Sequence, residues 1–384
     1  MQIVPFELER WQSVWENRVE LNISESGVLP LSVEELVERE EDRRRILRVP
    51  LGYPQTNGSE ELRANIATLY PGAKAENVLV TCGCSEANLL VTWSQVEAGD
   101  EVVFMLPNYM QVGGIATAFG AAVKPLWLRE ELGWAFDLDE LRRLVTAKTR
   151  LIAICNPNNP TGAILSEKAI EEICSVAGKV GACILADEVY RGAEYDGKLA
   201  PSFWGRYERV LCTAGLSKAF SLPGLRTGWV VGAPEMTDRL WGYHDYTSIG
   251  PAMLTDRLAA IALAPARRER ILERTRRILR ENYAIVSEWA RRHADLFTHV
   301  PPRAGAIAWF GCRKKWNTAE FAEGLRKRKG VLIVPGEQLG MESYLRIGFG
   351  GDSTHLRQAL ARVDEMIAEM AGARSAKQAG GVER

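Results

Sequence analysis

No excess of charge of either sign marks this sequence, and it has no long apolar run. Its 48 Lys and Arg residues balance 49 Asp and Glu residues, which leaves a net charge of −1 at pH 7. A nearly neutral chain has no overall field that would attract nucleic acid or an anionic membrane surface. No uninterrupted apolar run approaches the roughly 18–20 residues that a membrane helix needs. We therefore expect neither nucleic acid nor a membrane as a partner.

Cysteine and histidine are sparse and dispersed. The seven cysteines, an odd number, show no disulfide framework, and the four histidines show no metal-ligand spacing. Residues 1–20 also lack the apolar core of a targeting segment. We expect buried free thiols in a reducing compartment, hence a cytoplasmic location, and no metal site.

The chain is long enough for about two domains, since a domain commonly holds ~100–200 residues and the sequence has 384. We predict an N-terminal segment over residues 1–45 that packs with a small domain, and a large domain over residues 46–280. A small C-terminal domain is predicted over residues 281–370. A flexible tail is predicted over residues 371–384, where small and polar residues dominate.

Short apolar runs alternate with helix-length amphipathic segments through the middle of the chain. Predicted helices such as 85–98 and 167–180 lie between several of these runs. Such alternation is typical of an α/β fold whose sheet is covered by helices on both faces. We therefore predict a mostly parallel seven-stranded sheet sandwiched by helices, with strands at 78–81, 101–105, 122–128, 151–154, 182–186, 209–213 and 229–232.

After residue 250 the pattern indicates a smaller α+β domain, completed by an N-terminal helix predicted over residues 6–17. One long helical stretch is predicted over residues 254–294. Shorter helices are predicted over 318–329 and 354–370, and strands at 306–311, 331–334 and 344–349.

A lysine and an arginine lie close together after one predicted strand. Ser217-Lys218 follows the run 209–213, and Arg226 comes eight residues after the lysine. A lysine in a crowded pocket loses solvation, so its pKa falls and its neutral amine becomes able to form a Schiff base. A nearby arginine holds phosphate with a planar fork of donors. An isolated Ser-Lys pair is common, but the two features together indicate an aldehyde cofactor with a phosphate group, which is pyridoxal phosphate.

Polar side chains follow other predicted strands at the carboxyl edge, where open α/β sheets bind ligands. Asp187 follows the run 182–186, and Tyr190 comes three residues later. A carboxylate that faces a pyridine nitrogen keeps it protonated; the structural alternative is a helix cap. Asn159 belongs to the Asn-Pro turn 156–162, which is either a rigid loop or a source of amides for a ligand.

Two further strand ends add a phosphate cradle and an aromatic ring. Gly83, Cys84 and Ser85 open a helix after the run 78–81, and free N–H groups at a helix start bind phosphate. Tyr109 follows the run 101–105, where its ring can stack on a flat ligand. Each signal is weak alone, but together they place all parts of a pyridoxal-phosphate site at one edge of the sheet.

Five motifs occur in the order and spacing of a known family. They are Tyr-Pro-Gln-Thr-Asn-Gly-Ser-Glu-Glu-Leu-Arg at 53–63, Asn-Pro-Asn-Asn-Pro-Thr-Gly at 156–162, Asp-Glu-Val-Tyr at 187–190, the stretch from Ser-Lys to Arg-Thr-Gly-Trp at 217–229, and Leu-Arg-Ile-Gly-Phe at 345–349. With them the chain resembles the class I/II aminotransferase family, which are fold type I pyridoxal-phosphate enzymes of the aspartate aminotransferase superfamily. The resemblance extends from about residue 53 to residue 349.

The resemblance implies a cofactor role for each matching residue. Lys218 would form the Schiff base and move the α-proton of the substrate, and Asp187 would pair with the pyridine nitrogen. Tyr190 and Asn159 would contact the ring hydroxyl oxygen, while Tyr109 would stack on the ring. The phosphate would be held by Cys84, Ser85, Ser217 and Arg226.

The resemblance also implies how substrate and subunits are arranged. Arg346 would bind the substrate α-carboxylate, with Asn159 beside it. Tyr53 would contact the phosphate of the neighbouring subunit, so a homodimer with shared active sites is expected.

The chain departs from the family pattern in places. Gly215 stands where many members have a serine that contacts the phosphate, so that contact is missing or replaced. The stretch 22–28 lacks the common Asn-x-x-Pro pattern and is similar to openings found in enzymes of amino-acid-derived natural-product pathways. Gly27 and Val28 are therefore candidate substrate neighbours, and the identity of the substrate stays open.

The expected activity is transamination between an L-amino acid and a 2-oxo acid. Elimination, replacement or cyclisation of an amino acid uses the same cofactor and remains the alternative. A non-catalytic regulator with the same fold is a third class, but the residues before Tyr53 show no helix-turn-helix pattern of basic character.

Overall fold

The computed structural model describes residues 2–314 and 316–379, and it shows helices on both sides of a central sheet. The helices are α1 (Glu7–Trp15), α2 (Val33–Leu36), α3 (Glu40–Leu47), α4 (Glu60–Ala67), α5 (Gly83–Gln95), α6 (Gln111–Ala118), α7 (Leu138–Leu144), α8 (Glu167–Val180), α9 (Pro234–His244), α10 (Met253–Leu263), α11 (Pro265–Arg292), α12 (Thr318–Lys329) and α13 (Ser353–Ala379).

The strands form a large sheet, a small sheet and a separate pair. They are β1 (Leu21–Asn22), β2 (Val78–Thr81), β3 (Glu101–Leu106), β4 (Ala122–Trp127), β5 (Thr149–Cys155), β6 (Cys183–Asp187), β7 (Val210–Gly215), β8 (Gly228–Val231), β9 (Phe297–His299), β10 (Ile307–Cys312), β11 (Val331–Leu332), β12 (Val334–Pro335) and β13 (Tyr344–Gly348).

The large sheet has seven strands in the order β2-β8-β7-β6-β5-β3-β4. Only β8 runs antiparallel to its neighbours, so the sheet is mostly parallel, as the sequence predicts. Successive apolar residues of β2, β3 and β5 pack alternately into two hydrophobic clusters. Side chains of a strand point alternately to the two faces, so both faces of the sheet are covered. The predicted α/β fold is confirmed.

The register of the central strands determines which residues share the carboxyl edge. Cys155 at the end of β5 pairs with Asp187 at the end of β6, and Asp187 pairs with Thr213 of β7. Parallel strands end at the same side of a sheet. The loops after β5, β6 and β7 therefore open at one place.

The small sheet is antiparallel, in the order β12-β13-β10-β9. The single strand predicted at 331–334 is two strands, because β11 pairs with β1 whereas β12 pairs with β13. Between them, the carbonyl of Ile333 accepts a hydrogen bond from the Trp11 indole over 2.9 Å. This apolar run is uninterrupted in the sequence, so its hydrophobicity does not indicate that the chain changes strand partner there.

The helical stretch predicted at 254–294 is also divided. It forms α10 and α11, with Ala264 in an extended conformation between them. Pro265 at the first position of α11 explains the break, since proline lacks an N–H and disfavours a helical residue before it.

The N-terminal segment packs near the small sheet, and the C-terminal end of the described chain is helical. The parallel pair of β1 with β11 attaches the N-terminal segment to this region. The helix α13 continues to Ala379, past residue 371 where the sequence predicts a flexible tail, and residues 380–384 of that tail lie outside the described residues. The domain boundaries remain a prediction. In the described parts of the chain, no helix combines the length and apolarity that a membrane crossing requires.

Candidate active site

A cavity of about 280 Å³ opens at the carboxyl edge of the large sheet, between this sheet and the N-terminal helix. The structure brings most of the sequence-predicted residues to its wall: Cys84, Ser85, Tyr109, Asn159, Asp187, Tyr190, Ser217, Lys218, Arg226 and Arg346.

Lys218 lies three residues beyond the end of β7, which delivers its side chain into the cavity. Burial lowers the pKa of this amine, and the positive charges of Arg346 and Arg226 act in the same direction. Glu25 and Glu9 oppose them and raise the pKa. Since burial is the largest contribution, the neutral amine is more available than in an exposed lysine.

Asp187, at the end of β6, is held by donors from two elements. Its Oδ2 accepts a hydrogen bond from the Asn88 amide at 2.9 Å, and its Oδ1 accepts the backbone N–H of Val189 at 3.1 Å. The thiol of Cys84 lies 3.7 Å from Oδ1. Burial raises the pKa of Asp187, while these donors oppose that rise by stabilising the carboxylate.

Arg346 reaches the cavity from β13 of the small sheet. Its Nη1 donates to Oδ1 of Asn159 at 3.1 Å, and its Nη2 donates to the Ser24 carbonyl at 2.7 Å. Only 1% of Arg346 is exposed, and within the described parts of the chain its Nε has no hydrogen-bond partner. A buried donor without an acceptor is costly, so this edge of the guanidinium is suited to an anionic ligand.

The opposite end of the cavity is built by the first turn of α5. Gly83 has φ +79°, and a Cβ there would lie 2.5 Å from Nη2 of Arg226. A Cβ on Gly228 would lie 2.3 Å from the backbone nitrogen of Cys84. Two glycines therefore allow the Arg226 guanidinium and the strand β8 to approach the helix start closely. Nη1 of Arg226 also lies 3.3 Å from Oγ of Ser217.

These groups fit pyridoxal phosphate. The free N–H groups at the start of α5, together with Arg226 and Ser217, form a site for a dianionic phosphate. Asp187 places a carboxylate in the cavity wall where a protonated ring nitrogen would neutralise it. The amine of Lys218 lies in the same wall, within one cavity of these groups.

Two aromatic residues of the predicted site differ in their surroundings. Tyr109 donates its hydroxyl to Oε1 of Glu9 at 2.7 Å and packs against Phe6, with ring centroids 4.7 Å apart. Burial raises the pKa of Tyr109, and the neighbouring Glu9 adds to the rise. Burial likewise raises the pKa of Tyr190, although a hydrogen bond with Ser26 opposes it.

Three predicted residues, Gly83, Tyr53 and Gly27, do not line this cavity. Gly83 lies directly before Cys84 at the start of α5. Tyr53 is 88% exposed on the surface of the protomer. Gly27, with Val28 beside it, lines an adjoining cavity of about 570 Å³. Both cavities are lined by Ser217 and Lys218, so Gly27 lines a space next to the reactive amine.

Several cavity residues escaped the sequence analysis, and most come from the N-terminal segment. Leu8, Glu9, Gln12 and Glu16 face the cavity from α1 and its end, and Glu25 joins them from the segment after β1. Their spacing along one helix face was the available signal. Asn88 was also missed, because an asparagine inside an amphipathic helix has no motif. Trp11 and Trp15 of the N-terminal segment pack against Arg326 and do not line the cavity.

Comparisons with known proteins agree with this geometry. The family model for class I and II aminotransferases matches residues 20–363. Capreomycidine synthase of Streptomyces vinaceus is 33% identical over 310 residues, which are 81% of this chain and 79% of that protein. A crystal structure of a pyridoxal-phosphate-dependent aminotransferase from Streptococcus suis 89-1591 has a TM-score of 0.90 at 34% identity, covering 96% of this chain and 99% of that one. The pyridoxal-phosphate-dependent cyclase OrfR has a TM-score of 0.86 at 28% identity, covering 96% of this chain and 98% of its own. The chain therefore belongs to the class I and II aminotransferase family, whose cofactor is pyridoxal phosphate.

Proposed function

We propose that the protein is a transaminase that moves an amino group from an L-amino acid to a 2-oxo acid. The observation that carries the proposal is the presence of Lys218, Asp187 and Arg346 in the wall of one cavity. These three supply a nucleophilic amine, an acid for the ring nitrogen and a site for the substrate carboxylate. Membership in the aminotransferase family supports the same reaction class.

Lys218 is the group that moves protons. When bound, pyridoxal phosphate supplies an aldehyde that captures amines and a ring that withdraws electrons from the substrate Cα. The neutral Nζ of Lys218 takes the Cα proton, and burial, which lowers the pKa of this amine, favours the neutral form.

Asp187 holds a proton on the ring nitrogen, and its pair of donors keeps the carboxylate in one orientation. Asn159 and Tyr190 are positioned to hold the ring hydroxyl oxygen, since both line the cavity beside Asp187. Ser85, Ser217 and Arg226 hold the phosphate together with the N–H groups of Gly83 and Cys84. Tyr109 covers the ring face.

Arg346 binds the substrate carboxylate and thereby orients the Cα proton. Two of its nitrogens are already fixed by Asn159 and Ser24, so the guanidinium is oriented before the substrate arrives. The Nε without a partner is the donor that a carboxylate would satisfy. Preorganised donors of this kind reduce the entropy lost on binding. Gly27 and Val28 are proposed as neighbours of the substrate from the adjoining cavity.

We also propose a homodimer in which Tyr53 reaches the phosphate of the other subunit. Tyr53 lies among exposed apolar side chains, including Leu51, Tyr246 and Ile249. The two segments that carry them adjoin, because Gly250 lies against Thr56. An exposed apolar surface of this kind is typical of a subunit contact.

The cysteines are all free thiols, which supports the predicted cytoplasmic location.

Replacement of Lys218 tests the assignment directly. Lys218→Ala should remove the covalently held cofactor and lower turnover by about four orders of magnitude or more, as loss of a nucleophilic group does. Borohydride reduction followed by peptide mass analysis should add the cofactor mass to Lys218 of the native protein only. Lys124→Ala, which breaks a 2.6 Å ion pair with Glu101 away from the cavity, is the control and should keep both properties. Steady-state turnover by the Lys218→Ala variant would falsify the assignment.

Cyclisation of an amino acid is the second candidate, because capreomycidine synthase and a cyclase are among the similar proteins. A single turnover without 2-oxo acid separates the two reactions. With a ¹⁵N-labelled amino acid, transamination releases one 2-oxo acid per site and leaves the label on the enzyme. Cyclisation instead returns the label in a cyclic amino acid, and elimination releases it as ammonia.

A further inference from the structure

Three carboxylates face the active-site cavity from the N-terminal part of the chain. Glu9 lies on α1, Glu16 directly follows the end of α1, and Glu25 follows β1. Burial, a hydrogen bond with Glu25, and repulsion from Glu25 and Glu9 all raise the pKa of Glu16. The carboxylates are thus close enough to disturb one another, and a cation between them would relieve the repulsion.

The other charged groups of the cavity are accounted for by the proposed reaction. Lys218 meets the cofactor aldehyde, Arg226 the phosphate, Arg346 the substrate carboxylate and Asp187 the ring nitrogen. The three glutamates have no corresponding group in the cofactor or in the backbone of an amino acid. We therefore assign these glutamates to the side chain of the substrate.

A second observation, independent of the glutamates, points to the same ligand. Arg346 is 1% exposed, lines this cavity, and has an Nε without a hydrogen-bond partner in the described parts of the chain. The cavity thus offers an unmet donor for an anion as well as a group of carboxylates for a cation. A molecule that carries a carboxylate and a distant cation is complementary to both.

The three glutamates do not have the arrangement of a metal site. Among the described residues, no group of three His, Cys, Asp or Glu side chains is arranged to hold a metal ion. Glu9 accepts a hydrogen bond from the Tyr109 hydroxyl at 2.7 Å, whereas Glu16 and Glu25 line the cavity without such a donor from Tyr109. An organic cation, which spreads its charge over several donors, suits such an arrangement better than a metal ion does.

We propose that Glu9, Glu16 and Glu25 select an amino acid whose side chain ends in a guanidinium or ammonium cation. The inference rests on the proposed function, because it takes Arg346 as the partner of the substrate carboxylate. The helix α1 then determines the substrate specificity of the enzyme, because its Glu9 and Glu16 contact the side chain of the substrate. The strand β13 positions the substrate carboxylate.

Binding without turnover tests the proposal. The Lys218→Ala protein, loaded with pyridoxal phosphate, is titrated with L-arginine, its neutral isostere L-citrulline, and L-glutamate in a calorimeter. L-lysine and its neutral counterpart L-norleucine form a second pair. We expect the cationic member of at least one pair to bind about tenfold tighter or more, the scale of a charge-assisted contact. Neutral and cationic members that bind equally, tighter binding of L-glutamate, or no binding by any of the five would overturn the proposal.

A double variant tests which residues discriminate between cationic and neutral side chains of the substrate. Glu16→Gln with Glu25→Gln keeps the size of both side chains and removes two charges, so the preference should fall below about threefold, with citrulline binding unchanged. Glu20→Gln is the matched control, since Glu20 is an exposed glutamate that pairs with Arg362 outside the cavity. The control should retain the full preference; a double variant that also retains it would refute the role of these carboxylates.

Failure of this inference and failure of the proposed reaction give different results. The fate of the ¹⁵N label in a single turnover reports the reaction and is the same for any amino acid that binds. The calorimetric ratio reports the side-chain preference without any chemistry. A cation preference with label in a cyclic product would retain this inference and replace transamination.

Discussion

The side-chain amide of Asn88 donates a hydrogen bond to Oδ2 of Asp187 over 2.9 Å. On its other side, Oδ1 of Asn88 accepts from the Thr213 hydroxyl at 2.7 Å. One residue of α5 thus links the ends of β6 and β7, on either side of the carboxylate proposed to face the ring nitrogen.

Replacement of Asn88 should therefore affect both stability and catalysis. Asn88→Ala leaves Oδ2 of Asp187 and the Thr213 hydroxyl without their partner, which costs about 1–3 kcal/mol in the free energy of unfolding. The carboxylate is then free to rotate, and we expect kcat to fall by about 10–100-fold, as small displacements at a reacting centre do.

A second asparagine provides the control for this experiment. The Asn65 amide donates to the Ala260 carbonyl at 3.0 Å, away from the cavity. Asn65→Ala should lower the melting temperature without changing kcat. If both variants lose the same activity, the positioning role of Asn88 is wrong.

Arg346→Lys should weaken substrate binding. A lysine cannot reproduce the planar fork that bonds Asn159 and Ser24 while Nε stays available to a carboxylate. We expect KM for the amino acid to rise by about 10–100-fold, the scale of one lost charged hydrogen bond. Steady-state kinetics measures this rise, and affinity for pyridoxal phosphate should be unchanged.

The control for Arg346 is another buried arginine. Arg276 bonds to the Gly192 carbonyl at 3.1 Å through its Nε, outside the active-site cavity. Arg276→Lys should reduce stability and leave KM near the native value. An unchanged KM in Arg346→Lys would remove this residue from the substrate site.

The pH dependence of cofactor capture should reveal the lowered pKa of Lys218. Only the neutral amine attacks an aldehyde, and burial lowers its pKa below the ordinary value of 10.5. The capture rate should therefore fall, as pH decreases, only below a midpoint that lies under 10.5. Rapid mixing of the cofactor-free protein with pyridoxal phosphate at several pH values measures this midpoint.

The charge of Glu25 predicts the direction in which the pH midpoint of cofactor capture should move. Its negative charge raises the pKa of Lys218, against the effect of burial. Glu25→Gln removes the charge, so the midpoint should move to lower pH. A midpoint that moves upward, or a native midpoint at that of free lysine, would contradict the assigned electrostatics.

A mixture of two inactive variants should recover activity if Tyr53 serves the neighbouring subunit. The Tyr53→Ala protomer keeps Lys218, and the Lys218→Ala protomer keeps Tyr53, so their hybrid dimer contains one intact site. Random association gives about one quarter of all sites intact in the mixture. Turnover is measured after co-refolding at limiting pyridoxal phosphate. No recovery above the two separate variants would place Tyr53 in its own protomer or outside the site.

Most elements of the large domain follow from local pattern. The predicted strand at 78–81 is β2, and the predicted helix at 167–180 is α8, each with the same bounds. These segments are continuous apolar or amphipathic runs, and each ends at a turn former or a change of periodicity. The pattern is less informative at 331–334 and 254–294, where the chain changes partner or breaks without a change in hydrophobicity.

The cofactor side of the site was also accessible from the sequence, because its residues follow strand ends in a fixed order. Asp187, Lys218 and Arg226 belong to short motifs whose chemistry is specific. The substrate side was not accessible in this way. Glu9, Glu16 and Glu25 belong to no motif, and in the sequence they resemble the charged face of any amphipathic segment.

The sequence alone determined the fold class and the cofactor, because strand periodicity and strand-end motifs are local properties. Only the tertiary structure decided which residues of the N-terminal segment line the cavity. The parallel pairing of Leu21–Asn22 with Val331–Leu332 and the bond of Trp11 to Ile333 bring the N-terminal helix onto the cavity. These contacts join residues about three hundred positions apart, and hydrophobic pattern cannot specify such a pairing. These contacts, together with the bond of Gln12 to Ser24, bring the three carboxylates to the cavity wall.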